Sequence, residues 1–155
     1  MKIVYVYDSI ARIGGMERIL TDKMNYLAEI YGHKVYLITS SQGNHPLSFP
    51  LSHKVEHIDL DTKFHLQYQH PLLEQLKVGW TLNHKFEQKL KKEIKLINPD
   101  IISGNTSFKA DLICKLDCKA KKIIESHRAK IYTQIQEKNK KSFFKDIKDR
   151  YVSYQ

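Results

Sequence analysis

The sequence has little of what would place it in several large classes. It has two cysteines, Cys114 and Cys118, among 155 residues. That is too few for a disulfide framework, and a zinc centre needs more ligands than this pair. Four residues apart on a helix, the two would share a face as half-buried thiols in a reducing compartment. No stretch approaches the roughly 18 consecutive apolar residues of a membrane span. The apolar opening, MKIVYVYD, is short and closes on Asp8 without a small-residue cleavage pattern, so a strand is expected rather than a signal peptide, and a cytoplasmic protein. Neither GxGxxG nor GxxxxGK followed by Ser or Thr occurs, which disfavours a standard NAD or ATP site. His53 and His57 stand four apart but across a strand start, which spoils a helical metal pair, and no metal site is expected. There is no internal repeat, low-complexity tract or interior linker, so residues 1–155 are expected to form a single domain.

What is present is basic charge. Lys and Arg number 26 against 17 Asp and Glu, a formal +9, which draws nucleic acid, anionic membrane or phosphorylated ligands. Five lysines cluster between Lys85 and Lys95, and six basic residues between Lys138 and Arg150 stand against Asp146 and Asp149.

Lys2–Asp8 is a nearly continuous run of Val, Ile and Tyr, the pattern of a strand buried on both faces. A loop ending in Gly14-Gly15 follows. Met16, Ile19, Leu20, Met24, Leu27 and Tyr31 then recur at helical spacing, with Gly32 where a C-terminal cap belongs. His33–Ser40 reads as a second strand, Gln42–His53 as a loop with Gly43, Pro46 and Pro50, and Lys54–Leu60 as a third strand. In Thr62–Leu82, Phe64, Leu66, Tyr68, Leu76 and Trp80 interleave with His and Gln. Irregular chain or short helices packed on the core is the plain reading; the sharper one is an aromatic, basic-flanked surface that meets a membrane or a lipid-linked acceptor. Asn83–Asn98 turns Phe86, Leu90, Ile94 and Ile97 to one helical face, and Pro99 ends it. A fourth strand is expected to Asn105, a short helix over Thr106–Leu116 capped by Thr106 or Ser107, and a fifth strand over Lys121–Ser126. Ile131–Tyr151 is helical but frayed. This alternation predicts an α/β fold, a doubly wound parallel sheet with crossover helices.

In such a sheet ligands bind outside the carboxyl ends of the strands. That rule selects Asp8–Gly15, Ser40-Ser41, Gly104–Ser107 and Ser126–Arg128. Gly14 and Gly15 precede a helix, where bare backbone and free amides suit a diphosphate or a phosphorylated acceptor; a pair needed only for the turn is the alternative. Glu17 suits a ligand or the helix dipole equally. Arg18 suits a phosphate or a neighbouring carboxylate, and Asn105 and Thr106 suit hydroxyl recognition or a turn. His127 can join a sugar-hydroxyl network and transfer protons, or be satisfied by backbone. Arg128 beside it can clamp an anion.

Three segments together, Gly14-Gly15-Met16-Glu17-Arg18, Pro99-Asp100-Ile101-Ile102 and Ile124-Glu125-Ser126-His127-Arg128, resemble the N-terminal domain of glycosyltransferase family 4, the group 1 family. The resemblance spans nearly all of the chain. It implies the Rossmann-like, acceptor-side half of a two-domain GT-B architecture. It implies transfer with retention from a nucleotide-sugar co-substrate to a glycan or lipid-linked acceptor, with no cofactor or obligatory metal. Gly14 and Gly15 would then lie near the donor phosphates, and His127 would act at the transferred sugar. Glu17, Arg18, Asn105, Thr106 and Arg128 would face the acceptor. Rate would come from positioning and from stabilising the leaving diphosphate. The sequence departs from the family in having no second Rossmann-like domain and no E-x7-E element. The C-terminal nucleotide-sugar domain is therefore the expected missing partner, and this chain alone is expected to be inactive.

Two rivals remain. A nucleic-acid-binding module fits the +9 charge, but the basic residues lie on helix faces with few interleaved aromatics, so nucleic acid is not the expected partner. A flavodoxin-like or response-regulator-like domain fits the rhythm and Asp8, with Asp59 and Asp61 only loosely in the phosphoacceptor place.

Overall fold

Strand β1 (Lys2–Tyr7) has no polar side chain from Ile3 to Tyr7, and it lies in the middle of a five-stranded sheet. The computed structural model describes residues 1–126. Successive strand side chains point to opposite faces. Accordingly Ile3, Tyr5 and Tyr7 enter one core, with Leu20, Met24 and Ala28, while Val4 and Val6 enter the other, with Phe86, Leu90 and Ile94. Both faces of β1 are covered, which is why its pattern is continuous rather than alternating.

The other elements are α1 (Gly15–Glu29), β2 (Lys34–Thr39), β3 (Val55–Asp59), a 3-10 turn (Phe64–Gln69), α2 (Leu72–Ile97), β4 (Ile101–Asn105), α3 (Ala110–Cys114) and β5 (Lys121–Glu125). The sheet order is β3-β2-β1-β4-β5, and every neighbouring pair is parallel. With α1 on one face and α2 and α3 on the other, this is a Rossmann-like, doubly wound α/β fold. A flavodoxin-like or response-regulator-like domain orders its strands 2-1-3-4-5, so that rival fails on topology. Leu47 and Leu51, from the loop between β2 and β3, pack against the α1-side core where a crossover helix could have stood.

The order in which strands are added reverses between β1 and β4, and polar groups lock their starts together. The Lys2 amide donates to Asp100 Oδ2 at 2.7 Å, and the Asp100 amide returns to the Lys2 carbonyl at 2.9 Å. Lys2 Nζ also donates to the Ile97 carbonyl at 2.7 Å, capping α2 where Asn98 turns left-handed (φ 48°). Pro99-Asp100 is thus a structural clamp at the end of the sheet away from its carboxyl edge.

Four expectations need correction. Helix α2 begins at Leu72, so most of the segment read as irregular is its first turns; Gly79 marks the close packing of the 3-10 turn, whose Gln67 side chain lies where a Cβ would stand. On α1 the buried stripe is Leu20, Thr21, Met24 and Ala28, while Ile19 and Tyr31 are exposed. Tyr31 instead packs edge-on to Tyr26 and stacks on His33. Helix α3 is one turn, capped by left-handed Lys109 rather than Thr106 or Ser107, because the Asn105 side chain has already taken the Ser107 amide into a tight turn. Cys114 ends that helix, so Cys118 does not share a helical face with it. The helix expected over residues 131–151 lies outside the described residues.

Phe86 is fully buried, with Phe64 at 5.7 Å and Phe108 at 5.5 Å between ring centroids. Phe86→Ala should lower the unfolding free energy by about 3–5 kcal/mol; urea titration followed by circular dichroism would check this.

Candidate functional site

The loops that follow β1, β2 and β4 enclose a cleft of about 680 Å³ at the carboxyl edge of the sheet. It lies at the switch point between β1 and β4, where doubly wound sheets bind ligands. A second recess of about 420 Å³ lies at the opposite end, around Gly32, His33, Lys34 and Lys54, away from every helix N-terminus. The carboxyl-edge cleft is the candidate site on chemical grounds.

Its wall begins at α1. Gly14 is the N-cap, in extended conformation, and a Cβ there would strike the Glu17 carboxylate. The side chain of Glu17 is therefore folded back over the glycine, where its charge also suits the helix dipole. Gly15 differs: nothing lies within 4 Å of a Cβ built on it. Packing does not require glycine at this position, and the backbone is open to an approaching group. Glu17 and Asn105 line the cleft. Arg18 is exposed and sits 3.8 Å from Asp22 instead, and exposed Thr106 donates its amide to the Glu125 carbonyl; neither is among the lining residues. His127 and Arg128 lie outside the described residues.

Other side chains complete the lining: Tyr7, Asp8, Ser9, Arg12, His45, Phe64, His65 and Phe108. Arg12 fell within a segment selected by the strand-end rule but carried no motif. His45, Phe64 and His65 come from the loop after β2 and the 3-10 turn, which have no periodicity to betray them. Lys109 Nζ sits 5.0 Å over the Phe64 ring, a cation–π contact, and donates to the Asn83 side chain. Tyr7 had been read only as strand.

A polar relay holds the wall in place. Asp59, at the end of β3, accepts from the amides of Gln42 at 3.0 Å, Gly43 at 2.8 Å and Asp61 at 3.3 Å. Buried Gln42 accepts from Ser9 Oγ and the Ile10 amide, each at 3.0 Å, and donates to the His45 carbonyl at 3.0 Å. Asp59 thereby positions two cleft loops without touching the cleft. Burial pushes its pKa upward, but those amides and the Thr39 hydroxyl outweigh that, and the result lies below the ordinary aspartate value. His57 is shifted down, first by burial, against the pull of Asp59. Thr39 donates to Asp59 and so accepts from His57 Nε2 at 2.9 Å, which requires the Nε2–H tautomer.

Against known proteins, the chain matches no family model, and no curated protein matches it.

A carboxylate with a depressed folded pKa contributes stability above its unfolded value, about 3.9, and loses it as the pH falls through the folded value. Asp59→Asn should therefore cost about 1–2 kcal/mol at pH 7, discounted for a partly exposed site. Its difference from the wild type should close on acidification below about pH 4. Chemical denaturation across pH 3–7 would check the convergence, and a gap that persists at the acid end would contradict it.

Proposed function

We propose that this chain is the acceptor-binding half of a retaining glycosyltransferase of GT-B architecture. It works with a C-terminal nucleotide-sugar domain to transfer a sugar onto a glycan or lipid-linked acceptor. The observation that supports this most is the open backbone at Gly15. A glycine that packing does not need, exposed at the N-terminus of a 15-residue helix whose next residues, Met16 and Glu17, line the switch-point cleft, suits a phosphate group. Beyond it the lining of carboxylate, amide, hydroxyl and aromatic groups suits sugar hydroxyls and ring faces.

In this reading Gly14 and Gly15 receive the donor diphosphate. Glu17 and Asn105 face the acceptor, and His127 acts at the transferred sugar, with Arg128 beside it. Arg18 and Thr106 stand apart from the cleft and contribute less to acceptor binding than the resemblance implies. Transfer breaks the bond between the anomeric carbon and the diphosphate oxygen and forms one to an acceptor hydroxyl, whose proton leaves with the diphosphate. The helix N-terminus stabilises the departing charge. No cofactor or metal enters this scheme.

Gly15→Ala separates fold from function. Alanine should stabilise the helix start by about 0.5–1 kcal/mol, yet lower transfer at least tenfold in a sugar-nucleotide assay on the chain joined to its donor domain. Unchanged transfer would sink the phosphate role.

The reading places the protein in the cytoplasm, peripheral at the inner membrane face. Among the described residues no helix is long and apolar enough to cross a membrane. Supporting a surface contact, Tyr68, Leu76 and Trp80 are 73%, 76% and 71% exposed, with Lys77 and Thr81 beside the last two. Lys91 and Lys95 follow further along α2, Lys91 paired with Glu87 at 2.7 Å, so an apolar patch with lysine on its flank suits an anionic bilayer. Trp80 is the single tryptophan. Its emission should shift blue with phosphatidylglycerol vesicles at low salt, and Leu76→Glu should weaken that partitioning about tenfold; no shift would remove the membrane contact.

A further inference from the structure

The geometry points to a niche on the floor of the cleft, beneath the first turn of α1, that takes an uncharged sugar ring through the Tyr7 hydroxyl, with Asn105 and Glu17 at its sides. It deepens the transferase reading and rests on it only in taking the ligand to be a carbohydrate.

Tyr7 is 2% exposed and lines the cleft, and among the described residues its hydroxyl has no hydrogen-bond partner. A buried hydroxyl left unpaired costs free energy that a phenylalanine in the same packing would not. The fold thus gains nothing from the oxygen; it is closed off from solvent, and a ligand in the cleft satisfies it once the side chains over it move aside. Asn105 repeats the pattern. Its Oδ1 accepts the Ser107 amide at 2.9 Å, whereas its Nδ2 meets only the Met16 sulfur at 3.9 Å, a weak acceptor. The register pairs Val6 with Gly104, so Tyr7 and Asn105 are the next residues along and lie on the same face.

The surrounding charge selects the class of ligand. Burial first, then the charges of Glu125, Tyr5 and Glu17, hold the Tyr7 phenol well above its ordinary pKa. It stays a neutral donor and acceptor in surroundings that are negative. Glu125 is engaged by Lys23 at 2.6 Å and by Ser103 at 2.7 Å, so it holds the strand ends rather than a ligand. Among the described residues no lysine lines the cleft; Arg12 stands exposed there, with His45 and His65. An anionic group beside Tyr7 would face the Glu17 carboxylate; a sugar hydroxyl would donate to Glu17 and accept from Tyr7 and Asn105. Met16 and Phe108 offer the apolar surface that ring C–H groups need.

The test is saturation-transfer NMR on the 155-residue chain with a panel of neutral methyl hexosides, N-acetylhexosaminides and 6-deoxyhexosides. Glucuronate and galacturonate serve as anionic counterparts. At least one neutral member should bind better than the anionic ones. Tyr7→Phe should weaken it at least fivefold while its melting temperature stays equal to or above that of the wild type. A preference for the anionic probes, or a neutral sugar bound equally by Tyr7→Phe, overturns the niche and leaves the transferase reading standing. A lower melting temperature for Tyr7→Phe also overturns it, since the hydroxyl would then serve the fold. Binding of no sugar overturns both.

Discussion

Everything in this domain depends on β1 being buried on both faces at once. Five consecutive apolar residues, Ile3 to Tyr7, supply two cores of opposite parity, so α1 must pack on one side and α2 on the other. A strand that needs two covers needs two neighbours as well, and β1 has β2 and β4. Because the chain reaches β2 through α1, and β4 only after β3 and α2, the loops leaving β1 and β4 diverge. The cleft is the gap that this divergence leaves. Its position follows from the burial of β1 and not from any residue that lines it.

The lining is held by polar groups at one remove. Asp59 collects backbone amides on the outer strand, Gln42 passes that order to Ser9 and Ile10, and the loop before Gly14 is held as a result. At the other end of the sheet, Lys2 and Asp100 do the same for the strand starts. Buried polar groups satisfied in this way rigidify their surroundings. Among the described residues the Tyr7 hydroxyl and Thr62 Oγ1 are left out of such bonding, and of the two it is Tyr7 that lines the cleft.

Much of this was legible in the sequence because the governing signal was periodicity. The five strands, helix α1 and the inward face Phe86, Leu90, Ile94 and Ile97 all came from runs and spacings that tertiary packing respects. The failures share a cause. The first turns of α2 present Leu76 and Trp80 to solvent, so the apolar residues there did not trace a buried stripe. Ile19 and Tyr31 matched a helical period, but Ile19 sits on the outer face of α1 and exposed Tyr31 lies past its end. Local side-chain bonding, invisible to periodicity, moved the α3 cap to Lys109. For the cleft, the helix start after Gly15 supplied Glu17, although Gly14 and Gly15 themselves are not lining residues, and the strand-end rule found Asp8, Ser9, Arg12, Ser41, Asn105 and Ser107. It could not find His45, Phe64 or His65, which reach the site from chain without a repeat. Asp59, weighed as a phosphoacceptor, proved to be a backbone tether on an edge strand.

In the proposed reading the cleft and the helix start beside it differ in charge preference, and that difference gives a bound substrate a direction. At Gly15 bare backbone at a helix start favours an anion. Deeper in, Glu17 stands beside a buried phenol that stays protonated and disfavours one. A ligand that joins a phosphate to an uncharged, hydroxyl-rich group can satisfy both in only one orientation. Reversed, it would place the phosphate against carboxylates and leave Tyr7 and the Asn105 amide facing the wrong chemistry. Specificity of this kind comes from repulsion as much as attraction. It needs no residue beyond those that β1, β4 and the first turn of α1 already bring together.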